Sequence, residues 1–223
     1  MPTKTSAYKY SLIFLLLALT IFDQLFRGTA AARFWASIAG YLALLGIYKY
    51  SHLSLTDIGL QKSKLRPGAI MALKIAGAYL VVVIVIFLIH GQFFKDSRYH
   101  QGLARAVYAA LVILPFKTVL FEELAFRGLL PALLLKISDR QRMLIYSALA
   151  FGAWHLTTAG GLRGGLNITG SSFLLSAGIF CLTAGAGYVF VYLRYKSDSL
   201  ITPIILHWVV NGSAIILASL AWR

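Results

Sequence analysis

Apolar residues form seven long runs along the chain, and short polar segments separate them. The runs cover about residues 11–26, 34–48, 69–90, 102–136, 141–157, 171–194 and 199–221. An α-helix of about 20 apolar residues crosses the roughly 30 Å hydrocarbon core of a bilayer. The pattern therefore predicts an all-α fold, a polytopic transmembrane helix bundle with seven or eight spans.

The run at 102–136 is too long for one straight crossing. Thirty-odd helical residues would reach about 50 Å, and Pro115 lies in the interior of the run. Two alternatives follow, since either Pro115 bends one tilted helix or two shorter helices meet there. When the run is counted as one crossing, the chain has seven spans.

The composition agrees with a location in lipid. Of the 223 residues, 59% are hydrophobic and only 13% are charged, so polar side chains are too few to cover a soluble globule. We expect a single membrane domain over residues 1–223. Its N-terminal spans and an interfacial connector occupy 11–101, and the catalytic core helices occupy 102–221.

The basic residues lie mostly between the apolar runs. Lys and Arg number 21 against 7 Asp and Glu, for a formal net charge of +14. Charges spread through short loops suit anionic lipid headgroups, whereas nucleic-acid binding needs a basic face on a folded soluble domain. We therefore expect the lipid bilayer and no nucleic acid among the partners. The segment 51–68 is predicted to be the interfacial connector, on the cytoplasmic side.

The two glutamates of the protein are neighbours inside the run at 102–136. An ionisable group at membrane depth costs several kcal/mol unless it is paired or hydrated, so both glutamates are candidates for function. Glu123 and Arg127 are four residues apart on one helix face, which predicts a charge-assisted pair. Glu122 is rotated by about 100° from Glu123 and is left for another partner.

Two later runs also bring polar side chains into lipid. His155 follows Phe151 by four residues, and His207 and Asn211 are again four apart. The economical arrangement is a shared, water-containing polar cavity in the C-terminal half. There Glu122 would take a proton from water, which His155 would orient. His207 and Asn211 would donate hydrogen bonds to the oxygen that becomes negative when a peptide carbonyl is attacked.

The only cysteine, Cys181, lies in an apolar run. A single cysteine excludes an intrachain disulfide and a four-thiolate metal site. We expect a small buried hydrophobe there rather than a nucleophile.

These motifs resemble the signatures of the CAAX protease and bacteriocin-processing family of membrane endopeptidases, also called the Abi family. The family signatures are two glutamates followed by three residues and arginine, then Phe-x-x-x-His, then His-x-x-x-Asn or Asp. They occur here in the same order, as Glu122-Glu123-x-x-x-Arg127, Phe151-x-x-x-His155 and His207-x-x-x-Asn211. The resemblance covers about residues 103–221.

The resemblance implies an intramembrane endopeptidase that hydrolyses a peptide bond of a membrane-associated protein or peptide. It implies Glu122 as catalytic base, His155 as its partner, and His207 with Asn211 as the oxyanion site. The residues with supporting roles would be Glu123, Arg127 and Phe151. The implied location is the plasma membrane of a prokaryote. Family members trim prenylated CAAX proteins or act on bacteriocins, signalling peptides or sorting signals, so the substrate stays open.

Three alternatives to a metal-free peptidase remain. Zinc could bind Glu122, His155 and His207 and keep an open position. We nevertheless expect no cofactor, because His-Glu-x-x-His is missing and an asparagine at 211 is a poor zinc ligand but a good oxyanion donor. A transporter would also bury Glu, His and Arg centrally, although the sequence has no visible inverted repeat. The third alternative is a membrane scaffold that binds a partner helix.

Overall fold

The computed structural model describes residues 4–26, 30–100, 102–156 and 172–223, and within them it contains only helices and their connections. The glycine-rich segment 157–170 lies outside the described residues. The long helices are α1 (Lys4–Phe26), α2 (Ala30–Tyr50), α3 (Lys62–His90), α4 (Leu103–Leu135), α5 (Arg140–Leu156), α6 (Ser172–Ser197) and α7 (Ile201–Leu220). The predicted all-α bundle is confirmed.

Five of these helices are long and apolar enough to cross a membrane. They are α1, α3, α4, α6 and α7, and the 21-residue α2 and 17-residue α5 complete the bundle. Large apolar side chains point outward along the helices, and Leu88 of α3 and Leu182 of α6 are 76% and 77% exposed. So much exposed apolar surface would be unfavourable in water. The fold is therefore that of an integral membrane protein.

Helix α4 continues through Pro115 as a chain of α-helical and π-helical turns. Its π-helical segments are Ala109–Ile113, Pro115–Val119 and Leu124–Leu129. The backbone N–H of Leu114 donates to the carbonyl of Ala109, five residues back. Pro115 has no N–H to donate, so a wider turn is a natural response to it. Of the two alternatives for this run, the single continuous helix is the one observed.

The wide turn at Pro115 leaves the carbonyl of Ala110 without its usual helical donor. The N–H of Leu114, four residues after Ala110, donates to the carbonyl of Ala109 instead. The residue five positions after Ala110 is Pro115, which has no N–H. The indole Nε1–H of Trp208 in α7 donates to this carbonyl at 2.8 Å. A side chain of a neighbouring helix thus replaces the backbone donor that proline removed, as buried backbone carbonyls require.

Close helix packing in the C-terminal half depends on glycine. A Cβ at Gly152 of α5 would lie 2.9 Å from Cβ of Ala184 in α6, and one at Gly187 would lie 3.2 Å from Phe151. Small residues at these positions let the backbones of α5 and α6 approach each other. Gly185 differs from Gly187, because a Cβ there would meet nothing within 4 Å among the residues that the structure describes.

The connector between α2 and α3 is shorter than predicted. Helix α3 begins at Lys62, where the N–H of Lys64 donates to the carbonyl of Gln61. Hydropathy marks only the apolar part of this helix, whereas Lys and Arg are good helix formers that extend it toward the interface. The predicted connector 51–68 is therefore corrected to 51–61.

Polar contacts anchor the connector to the rest of the bundle. Arg194 of α6 donates to the carbonyl of Asp57 at 2.6 Å, and the N–H of Leu200 donates to the carbonyl of Gly59 at 2.8 Å. Lys136 pairs with the Asp57 carboxylate at 2.8 Å. Burial raises the pKa of Asp57, but hydrogen bonds from Lys136 and Ser54 outweigh it and hold the pKa below its ordinary value.

Cys181 lies on an exposed face of α6. The predicted burial of this thiol is therefore wrong, because an apolar run in lipid presents small residues outward as readily as inward.

Candidate active site

The candidate site lies where α4, α5 and α7 meet, and α6 covers it. Helix α4 contributes the two buried carboxylates and Arg127, α5 contributes Phe151 and His155, and α7 contributes His207 and Asn211. The four-residue spacing within each motif places its members on one face of their helix. All seven residues predicted from the sequence thus belong to one neighbourhood of the structure.

Glu123 is the centre of a buried hydrogen-bond network. Its Oε1 accepts from Arg127 at 2.9 Å, in an ion pair whose side chains are 0% and 1% exposed. The same oxygen lies 2.7 Å from Nδ1 of His207. The pair with Arg127 follows the sequence prediction. The bond to His207 was not predicted, because spacing along the chain does not show which residues of different helices meet.

The hydrogen bonds of His207 define its tautomer. Because Nδ1 faces a carboxylate oxygen, Nδ1 carries the proton, and in the neutral ring Nε2 is then an acceptor. The side-chain amide Nδ2 of Asn211 lies 2.9 Å from this Nε2 and donates to it. The chain Arg127–Glu123–His207–Asn211 therefore connects helix α4 to α7 and orients the Asn211 amide.

Glu122 faces His155 across a short gap. Oε2 of Glu122 lies 3.9 Å from Nε2 of His155, which is beyond hydrogen-bond distance. Nδ1 of His155 lies 2.9 Å from the carbonyl of Phe151, to which it donates. In the neutral ring Nε2 therefore carries a lone pair, and two acceptors face each other across the gap.

The guanidinium of Arg127 lies between two aromatic rings. Its Cζ is 3.8 Å from the centre of the Phe151 ring and 5.2 Å from that of Phe190 in α6. These cation–π contacts hold a charge that is shielded from water. The Phe151 ring also lies 4.3 Å from the His155 ring and 6.4 Å from the His207 ring. Phe151 therefore lies beside Arg127 and both imidazole rings of the site.

Among the residues that the structure describes, three buried polar atoms of the site have no hydrogen-bond partner. They are Oε2 of Glu122, Oε2 of Glu123 and one terminal nitrogen of Arg127. Buried polar atoms of this kind are usually satisfied by water or by a ligand. Water in the predicted polar cavity would form hydrogen bonds with these atoms, and that cavity stays a prediction.

The predicted zinc ligands do not form a ligand set in the part of the chain that the structure describes. Within those residues no three His, Cys, Asp or Glu side chains lie close enough together to hold a metal ion. The reason lies in His207, since its ring nitrogens face Glu123 and Asn211 rather than Glu122 and His155. The residues as arranged do not fit zinc, which needs converging lone pairs.

Two residues that contribute to the site were not predicted from the sequence. Phe190 is one aromatic residue in the long apolar run of α6, and nothing in that run sets it apart. Tyr41 of α2 lies in an apolar run, and its hydroxyl needs a hydrogen-bond partner in lipid, which indicates a contact with another helix. Only the structure shows that this partner is the backbone of α4.

The chain was compared with known proteins and families. No curated protein and no solved structure matches it. Residues 104–213 match the family of type II CAAX prenyl endopeptidase Rce1-like proteins. This range contains all seven motif residues of the candidate site, and it confirms the resemblance seen in the motifs. Residues 104–213 are therefore an Rce1-like domain, similar to the type II CAAX prenyl endopeptidases.

Proposed function

We propose that the protein hydrolyses a peptide bond of a membrane-associated, prenylated CAAX protein or peptide, with water activated by Glu122. The observation that carries this proposal is the gap of 3.9 Å that separates Glu122 Oε2 from His155 Nε2. Family membership supports the reaction class and the substrate class. The buried position of Glu122 supports its role, because an unsatisfied carboxylate at membrane depth is costly.

The first step is the attack of water on the peptide carbonyl. A water about 2.8 Å from both acceptors would donate one hydrogen to Glu122 and one to His155, at an angle of about 90°. The lone pairs of its oxygen then point away from both groups, toward the substrate. As the water oxygen bonds to the carbonyl carbon, Glu122 takes a proton and becomes a neutral carboxylic acid.

The second requirement is a donor for the carbonyl oxygen that becomes negative. The sequence predicted that His207 and Asn211 both donate to this oxygen. The observed hydrogen bonds narrow that prediction, because neutral His207 accepts from Asn211 through Nε2. Asn211 has a second N–H, and we propose that this N–H donates to the oxyanion while His207 fixes the direction of the amide.

The last step releases the products. Glu122 gives its proton to the nitrogen of the scissile peptide bond, the C–N bond breaks, and the carboxylate is restored. One water is consumed, and a carboxylic acid and an amine are formed, which exchange a proton and leave as a carboxylate and an ammonium group. Glu123, Arg127 and Phe151 take no proton in this scheme. They hold His207 and the backbone of α4 in place.

The mechanism needs no metal. We expect full activity after exhaustive chelation and no zinc in elemental analysis of the purified protein. Activity that is lost on chelation and restored by zinc would contradict the metal-free mechanism, while leaving the peptidase proposal in place. The proposed location is the plasma membrane of a prokaryote.

The direct test uses an internally quenched peptide with a farnesylated CAAX end and the purified protein in detergent micelles. We expect the wild type to cleave it and Glu122→Gln to be at least about 100-fold slower. The matched control is Asp139→Asn, which neutralises an exposed carboxylate in the turn before α5 and should leave the rate within twofold. Near wild-type cleavage by Glu122→Gln would refute the role of Glu122. A folded wild type that transports a solute into vesicles and cleaves nothing would support the transporter alternative.

A further inference from the structure

The hydroxyl of Tyr41 in α2 is inserted into the backbone of α4 just before the glutamate pair. It donates to the carbonyl of Phe116 at 2.5 Å, and the backbone N–H of Phe121 faces the same oxygen. These two backbone groups are five residues apart, which is the spacing of a π-helical hydrogen bond. The hydroxyl thus lies between two backbone groups that a π-helical turn would join directly, and an inserted side chain is a recognised cause of local helix distortion.

The residue held by this contact is the immediate neighbour of Glu122. Because Phe121 and Glu122 share a peptide bond, the position of the Phe121 N–H directly affects where Glu122 points. The backbone N–H of Leu120 also donates five residues back, to Pro115. The wide turn therefore ends at Val119, directly before the α-helical turn that carries the glutamates, and its register affects which way they face.

Aromatic contacts fix the Phe121 side chain as well. Its ring packs edge-on against Tyr41, with centres 5.7 Å apart, and is stacked on Phe22 of α1 at 4.1 Å. A Cβ at Gly40 would lie 2.9 Å from the Phe121 ring, so glycine is needed for this approach. Backbone and side chain of Phe121 are therefore both held by the two N-terminal helices.

The same N-terminal helices contact the helix that carries His155. Phe22 stacks at 6.1 Å on Trp154, the residue before His155. One ring of α1 therefore touches the neighbour of Glu122 and the neighbour of His155. This arrangement links the distance between the two acceptors to side chains that lie outside the family match at 104–213.

We propose that Tyr41 is a positioning residue that, through the backbone of α4, sets Glu122 at its distance from His155. The proposal rests on the proposed function, since it needs Glu122 to act in the reaction. An error of about 1 Å in the placement of a reacting group costs up to 100-fold in rate. Loss of the Tyr41 hydroxyl should therefore lower kcat and leave the binding of substrate unchanged.

The test compares Tyr41→Phe with Tyr79→Phe on the farnesylated CAAX peptide. Both variants keep the ring and lose one hydroxyl between helices, because Tyr79 of α3 shares a hydrogen bond with Ser213 of α7 at 3.3 Å. We expect kcat of Tyr41→Phe to fall about 10- to 100-fold at unchanged KM. Tyr79→Phe should stay within about twofold, with a similar change in melting temperature. A kcat of Tyr41→Phe within twofold of wild type would overturn the proposal, and so would a Tyr41→Phe protein that fails to fold when Tyr79→Phe folds.

A second comparison separates positioning of Glu122 from a general structural effect. In the Glu122→Gln background, Tyr41→Phe should cause no further loss of the residual rate, because its effect acts through a carboxylate that is no longer there. Equal losses in both backgrounds would make Tyr41 a structural residue. If Glu122→Gln itself keeps its activity, the proposed function fails. If only Tyr41→Phe keeps it, the positioning role alone fails.

Discussion

Removal of the Arg127 guanidinium should expose the cost of a buried, unpaired carboxylate. In Arg127→Met the chain keeps its approximate length, but Glu123 loses the cation 2.9 Å from its oxygen, and both side chains are shielded from water. Breaking a buried ion pair from one side costs about 3–5 kcal/mol. The contact with the Phe151 ring is largely kept, because methionine sulfur also packs well on aromatic rings.

A second substitution shows whether the loss comes from charge. In the double variant Arg127→Met with Glu123→Gln, no unpaired charge remains, and the Gln oxygen can still accept from His207. We expect the double variant to be more stable than Arg127→Met alone by about 2 kcal/mol. Such strong coupling is typical of residues in one buried network.

The assay is thermal unfolding in detergent micelles. For a chain of this size, 1 kcal/mol corresponds to about 2–4 °C, so Arg127→Met should melt about 6–20 °C below the wild type. The control is Lys136→Met, whose partner is Asp57 and whose pair is 35% and 27% exposed. That variant should lose less than about 1 kcal/mol.

Two results would refute this reasoning. One is a melting temperature of Arg127→Met within about 2 °C of the wild type. The other is a double variant that loses the full sum of the two single losses. Either result would mean that Glu123 does not depend on Arg127 as a buried partner.

Three further predictions follow from packing and charge. Gly59→Ala should lower stability by about 1–3 kcal/mol, because φ is +80° there and a Cβ would lie 2.8 Å from the Arg194 guanidinium. Gly46→Ala should not destabilise, because a Cβ there would meet nothing within 4 Å in the part of the chain that the structure describes. Gly152→Ala should slow peptide hydrolysis at least about tenfold by pushing α5 from α6, and the open Gly178→Ala should not. The pKa of Asp57 is lowered in the folded protein. Its ionised carboxylate therefore stabilises the fold above about pH 4, and this stabilisation is lost as the pH falls through the folded pKa. The difference in melting temperature between wild type and Asp57→Asn should be constant from pH 7 to 5 and narrow below about pH 4.

The sequence predicted the long helices and the polar residues of the site, because both leave local signals. A run of apolar residues predicts a membrane helix whatever its neighbours are. Residues four apart share a helix face, so the pair of Glu123 with Arg127 followed from one segment alone. Helix α3 shows the limit of this reasoning, since its first turns are polar and hydropathy does not detect them.

Contacts between side chains of different helices could not be predicted from the sequence. His207 was predicted to serve the oxyanion, but its Nδ1 donates to Glu123, and this bond depends on how α7 packs on α4. Tyr41 and Phe190 lie in apolar runs, and no spacing rule connects them to the glutamates. Gly185 and Gly187 have nearly the same surroundings in sequence, and only rotation of α6 decides that Gly187 faces α5.

The most direct test of water activation by Glu122 is a single turnover in ¹⁸O-labelled water with enzyme in excess over the farnesylated CAAX peptide. If Glu122 acts as a base, the new carboxylate of the product carries one ¹⁸O and the enzyme peptide that contains Glu122 carries none. If ¹⁸O appears in Glu122 after that turnover, the carboxylate has attacked the substrate itself, and the water mechanism is wrong.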